Sequence, residues 1–156
     1  MIELLSKEEA NKKLCAELPF LIQRNRNDNK ELDYEYTELD DECPQGWTKL
    51  KLDFYREIKP LLIKADFLDK FRIFQSKEKY GYWHLYTNGI PKEISKEYYE
   101  IFKKYENLSE KTCIFCGEEA KMVNFGWISP ICKKCWDKGY IWDSRPYEKV
   151  IMEDDD

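Results

Sequence analysis

Residues 113–135 read Cys-Ile-Phe-Cys-Gly-Glu-Glu-Ala-Lys-Met-Val-Asn-Phe-Gly-Trp-Ile-Ser-Pro-Ile-Cys-Lys-Lys-Cys, and their four cysteines decide how the C-terminal part of this 156-residue chain folds. Two Cys-x2-Cys pairs are separated by 15 residues, a spacing typical of structural zinc sites. Each pair lets two sulfurs converge from one tight turn, and two such turns supply a tetrahedral set of thiolates. Residues 120–128 would then form the strands of a ribbon, and Gly117 stands where such a turn often needs a positive φ.

The cofactor predicted here is one structural zinc ion held by Cys113, Cys116, Cys132 and Cys135, because four soft ligands suit zinc or iron–sulfur chemistry. An iron centre and thiol redox chemistry are the alternatives, although a redox motif of this type belongs in a βαβ context. Four protein ligands leave no open position, so the metal would help to fold the C-terminal third rather than catalyse a reaction. Cys15 and Cys43 are predicted to be ordinary free thiols.

Two lysines, Lys133 and Lys134, lie between the ligand cysteines of the second pair. We expect them to offset the negative charge of the thiolates. Contact with a nucleic-acid phosphate backbone is the alternative role for these two side chains.

The rest of the chain predicts an α+β fold, in which a small antiparallel sheet has helices packed on one side and a four-cysteine zinc ribbon continues at the C-terminus. A capping box at residues 6–9 opens a helix that ends before Pro19. A second helix starts at Trp47 or Thr48, and Pro60 either kinks it or opens another short helix. The clearest helical stripe follows Pro91, and we expect it to pack on a hairpin; it consists of Ile94, Tyr98, Ile101, Phe102, Tyr105 and Leu108.

The predicted hairpin consists of strands at residues 71–75 and 82–87, with the charged residues 77–81 in its turn. Alternation places Trp83 and Leu85 on one face of the second strand, and the other face carries Tyr82, His84 and Tyr86. Residues 32–37 could add a further strand. These elements divide the chain into an α+β domain at residues 1–110, a zinc ribbon at 111–142 and an acidic tail at 143–156.

The charge is distributed unevenly along the chain. The net charge of −5 is the sum of −6 over residues 1–42, +4 over 43–90 and −3 over 91–156. This acidity disfavours broad nucleic-acid binding, which depends on Lys and Arg neutralising phosphates. Acidic runs are commonly solvated faces, but an acidic segment can also meet a basic partner. The candidate residues for such a partner surface are Asp33, Glu35, Glu38, Asp40, Asp41 and Glu42.

No constellation of residues in the sequence indicates an active site. The chain has one histidine, His84, and lacks a nucleophile elbow and a phosphate-binding glycine loop. We therefore expect a protein that is not an enzyme. The hairpin mixes cations with aromatic rings, so it could stack bases, or it could bury one aromatic face and be purely structural. Its candidate binding residues are Lys77, Lys79, Tyr80, Trp83, His84 and Tyr86.

Three motifs within residues 19–136 are similar to those of a known group of proteins. They are Glu-Leu-Asp-Asp before Pro-Gln-Gly-Trp at residues 38–47, Lys-Glu-Lys-Tyr-Gly in the hairpin, and the cysteine module. The order of these motifs resembles small zinc-ribbon proteins of phages, prophages and mobile elements, in which a KEKFG-type hairpin precedes CxxCG…CxxC. Tyr86 matches the closing aromatic of that hairpin, whereas Trp83 and His84 stand where the family has Leu and Arg.

The resemblance implies that a phage or mobile element encodes the protein, and it implies no particular activity. A phage or mobile-element accessory protein of this kind often binds and disables a host protein, including proteins of defence systems. We therefore expect a non-enzymatic, zinc-binding protein that binds a host or defence protein, and the alternative is a nucleic-acid or nucleotide binder. No apolar run approaches the ~20 residues of a membrane span, and the N-terminus lacks the features of a signal peptide. The expected location is the cytoplasm, which would be that of the host cell for a phage protein.

Overall fold

A computed structural model describes residues 7–22, 24–25, 27–28, 30–31, 46–124, 128–138 and 149–151. The α-helices of this part are α1 (Lys7–Glu17), α2 (Thr48–Lys64), α3 (Lys92–Glu110) and α4 (Lys133–Asp137), and a 3-10 helix at Pro19–Leu21 follows α1. The strands are β1 (Ile73–Lys79), β2 (Tyr82–Thr87), β3 (Met122–Asn124), β4 (Pro130–Ile131) and β5 (Lys149–Ile151). The predicted α+β class, with packed helices and a small antiparallel sheet, is confirmed.

The main core is an aromatic cluster between α2, α3 and the β1–β2 hairpin. Phe54 of α2 lies at its centre, fully buried, and its ring centroid is 5.3 Å from that of Trp83 and 5.5 Å from that of Phe102. These contacts are edge-on or T-shaped, the geometry that aromatic quadrupoles favour. Leu18 and Leu21 cover the cluster from the α1 side. The segment that directly follows α1 therefore enters the core.

Helix α2 is one helix from Thr48 to Lys64 with Pro60 inside it, so Pro60 does not open a second helix. Four of the five predicted apolar positions of α2 are buried, and the fifth, Leu61, is half-buried against the core. Helix α3 packs against both α2 and β2, whereas the sequence indicated the hairpin alone. Its predicted stripe stops at Tyr105, because the side chain of Leu108 is 47% exposed.

The hairpin turn is shorter than predicted. Strand β1 extends through Lys79, which pairs with Tyr82, so only Tyr80 and Gly81 form the turn. Both have positive φ values, +56° and +90°, as a two-residue turn of the primed type requires. Lys77 and Lys79 therefore belong to the strand, where β-pairing places them on the same face as His84 and Tyr82.

The two faces of β2 differ as the alternation predicted. Trp83 is fully buried, and its backbone N–H donates to Ser109 Oγ at 2.9 Å, which joins β2 to the end of α3. The indole Nε1–H donates to Ser76 Oγ at 2.9 Å. Because the core encloses this ring, Trp83 is not available to stack on a ligand, and its prediction as a binding residue is wrong. Tyr86 on the opposite face is 44% exposed.

A second small sheet has the order β4-β3-β5, with both pairings antiparallel. Strand β5 lies within residues 143–156, the predicted acidic tail, and pairs with β3. Several other predictions fall outside the described residues: Ser6 of the capping box, the strand at 32–37, Cys43, the six acidic candidates at 33–42 and the four acidic residues at 153–156.

Candidate metal centre

The first cysteine pair lies on a tight hairpin that follows α3. The N–H of Ala120 donates to the carbonyl of Lys111 at 2.7 Å, and the N–H of Cys113 donates to the carbonyl of Glu118 at 2.7 Å. Inside this frame, the Gly117 N–H donates to the Cys113 carbonyl at 2.9 Å. Gly117 has φ +82°, which confirms the prediction that this position needs glycine. The turn aims Cys113 and Cys116 toward one point.

The second pair is positioned by β4 and α4. Cys132 is the N-cap of α4, and its Sγ accepts the N–H of Cys135 at 3.4 Å. The first pair has the matching interaction, from Glu118 N–H to Cys116 Sγ at 3.5 Å. The Ile114 N–H donates to the Pro130 carbonyl at 3.0 Å and so ties the two turns together. Backbone donors aimed at sulfur favour the thiolate form that binds metals.

The four sulfurs of Cys113, Cys116, Cys132 and Cys135 lie within 4.8 Å of one another. The Sγ atoms of Cys116 and Cys132 are 3.6 Å apart. A tetrahedron with metal–sulfur bonds of about 2.3 Å has edges of about 3.8 Å, so this separation allows both sulfurs to bind the same metal ion. It is far longer than the ~2.05 Å of a disulfide bond. The cluster can therefore hold one metal ion with four sulfur ligands.

Burial and crowding set the charge of these thiols. Cys113, Cys132 and Cys135 are buried, whereas Cys116 is exposed. Burial raises the pKa of Cys135 well above its ordinary value. Burial also acts to raise the pKa of Cys132, but the N–H of Cys135 and the neighbouring thiols bring it below the ordinary value. Four thiolates at these distances would repel one another strongly, and a bound cation is what allows them to ionise together.

The two lysines beside the ligands are at the surface. Lys134 Nζ is 3.9 Å from the carboxylate of Glu118, and both side chains of this pair are more than half exposed. Lys133 is exposed as well. An exposed pair at this distance contributes little to stability. Cys15 is half-buried at the edge of the main core, and the cluster of four sulfurs does not include it.

The outward face of the hairpin carries four of the six candidate residues, Lys77, Lys79, His84 and Tyr86, and a fifth, Tyr80, lies in the adjoining turn. His84 Nε2 is 3.0 Å from the Lys79 carbonyl oxygen, and the His84 and Tyr82 rings have centroids 4.3 Å apart. His84 therefore has a packing contact and a hydrogen-bonding contact within the hairpin. Tyr80 at the turn is 70% exposed and lies near Lys79, whose Nζ is 5.2 Å from the ring centroid.

Sequence reasoning missed two residues that contact the metal centre. The sequence predicts a helix start at Trp47 or Thr48, yet Gly46 and Trp47 lie against the first cysteine turn. The Gly46 N–H donates to the Ile114 carbonyl at 2.7 Å, and Trp47 Nε1–H donates to the Thr112 carbonyl at 2.8 Å. The contact joins residues about 65 positions apart. A Gly-Trp pair before an amphipathic helix was the only local signal for it.

Comparison with known proteins adds no functional information, because no family model, curated protein or solved structure matches the chain. Within the described ranges, no helix combines the length and the apolar character that crossing a membrane requires. Function must therefore be inferred from the residues of the chain itself.

Proposed function

We propose that this chain is a non-enzymatic binding protein whose cysteine cluster holds one structural Zn²⁺. The observation that carries the proposal is the convergence of four Cys Sγ atoms within 4.8 Å. A closed set of four thiolates leaves no position for water or substrate, which separates structural zinc sites from catalytic ones. Iron could occupy the same donor set, and metal analysis distinguishes the two.

Metal analysis of purified protein tests the cofactor directly. We expect about one zinc per chain under reducing conditions, because four thiolates match one tetrahedral ion. Cys113→Ser and Cys132→Ser should each abolish stoichiometric binding, whereas Cys15→Ser, which lies outside the cluster, should retain it. A fully folded, metal-free preparation would exclude a structural metal.

The proposed activity of the protein is to bind a protein partner, and a host or defence protein is the partner class that the resemblance to phage and mobile-element proteins implies. The acidic segment at residues 28–42, with eight carboxylates and one lysine, supports a basic partner surface. Acidic proteins can occupy basic channels by presenting charge where a nucleic-acid phosphate would lie.

A pull-down from host lysate, followed by binding measurements with the purified partner, tests this activity. The matched variant replaces Asp33, Glu35, Glu38, Asp40, Asp41 and Glu42 with Asn or Gln. We expect it to weaken binding at low salt and to reduce the salt dependence of the association rate. Unchanged affinity at low salt would remove the acidic segment from the interface.

A second candidate function, single-stranded nucleic-acid binding, is favoured by the outward face of the hairpin. Lys77 Nζ is 5.6 Å from the Tyr86 ring centroid, and Lys79 Nζ is 5.2 Å from that of Tyr80. Among the described residues, neither lysine has an ion pair with a carboxylate. Cations beside exposed rings are the usual combination for binding the backbone and bases of a single strand.

A labelled oligothymidylate of about 15 nucleotides, a length that spans a typical single-strand site, tests this second function. We expect binding at low salt that weakens steeply as salt rises. Lys77→Ala and Tyr80→Ala should reduce it, whereas Lys96→Ala, at an exposed position on α3, should not. Absence of a complex at low salt would leave protein binding as the function.

A further inference from the structure

The backbone at Gly46 fits closely against the turn that carries the first two cysteines. A Cβ atom at Gly46 would overlap the Cys113 carbonyl oxygen and would lie 2.5 Å from the carbonyl carbon of Ile114. A Cβ at Gly117, on the other side of the contact, would lie 2.8 Å from the Gly46 carbonyl oxygen. Two glycines thus face each other across the contact, and neither position accepts a side chain without a backbone shift.

Hydrogen bonds hold this contact in one register. The Gly46 N–H donates to the Ile114 carbonyl, which lies between the two cysteines, at 2.7 Å. The indole N–H of Trp47 donates to the carbonyl of Thr112, the residue before Cys113, at 2.8 Å. The Cys113 carbonyl between them accepts the N–H of Gly117. Three successive carbonyls of the cysteine turn therefore have defined donors, and two of these donors come from Gly46 and Trp47.

The same contact links the metal centre to the main core. Trp47 is 2% exposed and Ile114 is 4% exposed, and both belong to the cluster around Phe54. Cys113 is fully buried directly beside Ile114. The cysteine turn therefore contributes Ile114 to the main core and the sulfurs of Cys113 and Cys116 to the four-cysteine cluster.

We propose that Gly46 and Trp47 are positioning residues of the metal centre, which hold the Thr112–Gly117 backbone in the conformation that aims Cys113 and Cys116 at the metal. This inference rests on the proposed metal-binding function. Groups that orient metal ligands typically change metal affinity 10- to 100-fold when they are removed. Because linkage is reciprocal, metal binding must also stabilise the Gly46–Trp47 contact and the start of α2. The metal would thus stabilise more of the protein than the C-terminal part.

The chain offers a matched pair of variants for the test. Trp47→Phe removes the indole donor to Thr112, and Trp83→Phe removes a similarly buried indole donor whose acceptor, Ser76 Oγ at 2.9 Å, belongs to β1 and not to the cysteine turn. Zinc affinity is measured by competition with a chromophoric chelator, and cobalt substitution reports the tetrahedral sulfur environment. We expect Trp47→Phe to weaken zinc binding at least 10-fold and Trp83→Phe to leave it within about twofold. Equal affinities for the two variants would overturn the inference.

Hydrogen exchange in the wild-type protein gives a measurement that needs no folded variant. Metal binding should slow exchange of the Gly46 amide and the Trp47 indole N–H more than that of the Trp83 indole N–H. The same rates with and without bound metal would overturn the positioning role while leaving the metal site intact. If the wild-type chain binds no metal under reducing conditions, the proposed function itself fails, and this inference fails with it.

Discussion

The carboxylate of Glu57 on α2 accepts a hydrogen bond from the hydroxyl of Tyr105 on α3 at 2.6 Å. Lys104 adds a second contact from the same helix, with Nζ 2.7 Å from the carboxylate. The three side chains bridge the two helices at the rim of the aromatic core. They show how α3, which the sequence predicted to pack on the hairpin, is also joined to α2.

This bridge predicts a pH-dependent contribution to stability. The hydrogen bond from Lys104 lowers the pKa of Glu57 below its ordinary value, and the hydrogen bond from Tyr105 adds a smaller effect in the same direction. A carboxyl with a lowered folded-state pKa stabilises the protein above its unfolded pKa of about 4.3, and the contribution is lost as pH falls through the folded value. Glu57→Gln should therefore lower the unfolding free energy at pH 7 by less than about 1 kcal/mol, since the pair is partly exposed. Urea titrations of both proteins should converge at acidic pH, and a difference that grows on acidification would contradict this.

Removing one ligand cysteine should destabilise the protein far more than removing Cys15, which lies outside the cluster. Cys113→Ser leaves three thiolates and no closed tetrahedral site, so the loss should be several kcal/mol. Thermal unfolding with and without a zinc chelator measures it. The matched change Cys15→Ser should shift the midpoint little, and its stability should fall on chelation just as the wild type does.

The core position Phe54 should be among the most sensitive to truncation. Phe54→Ala removes a fully buried ring that contacts α3 and β2 residues, and such changes typically cost about 3–5 kcal/mol. The control is Phe74→Ala, because Phe74 is 41% exposed. Denaturant unfolding should place the Phe74 variant close to the wild type, and similar losses for both would argue against the described core.

The hairpin turn should become more stable when Tyr80 is replaced by asparagine. Tyr80 has φ +56°, a conformation that costs most L-residues about 1–2 kcal/mol and that asparagine tolerates better. Asn-Gly is also the preferred pair in turns of this type. We expect Tyr80→Asn to raise the unfolding free energy by up to about 1 kcal/mol. The strand control Tyr86→Asn should lower it, and a loss in both variants would show that the Tyr80 side chain is itself a stabilising contact.

Local patterns in the sequence were sufficient for several elements. The starts of α2 and α3, the alternation on β2 and the positive φ at Gly117 follow from periodicity and turn chemistry, which act over a few residues. The four cysteines were recognised as one cluster because Cys-x2-Cys spacing already constrains where the sulfurs can point. In each case the determining interactions lie within one element or one turn.

Tertiary structure decided the remaining features, since they depend on which surfaces meet. Lys77 and Lys79 look like turn residues by charge, but pairing with β2 extends the strand through them. Trp83 has an aromatic side chain of the kind that stacks on ligands, yet α2 and α3 cover its face of the sheet. Gly46 and Trp47 contact the cysteine turn only because folding brings residues about 65 positions apart together. Spacing along the chain could name the four sulfurs, but only long-range packing could show what holds them in place.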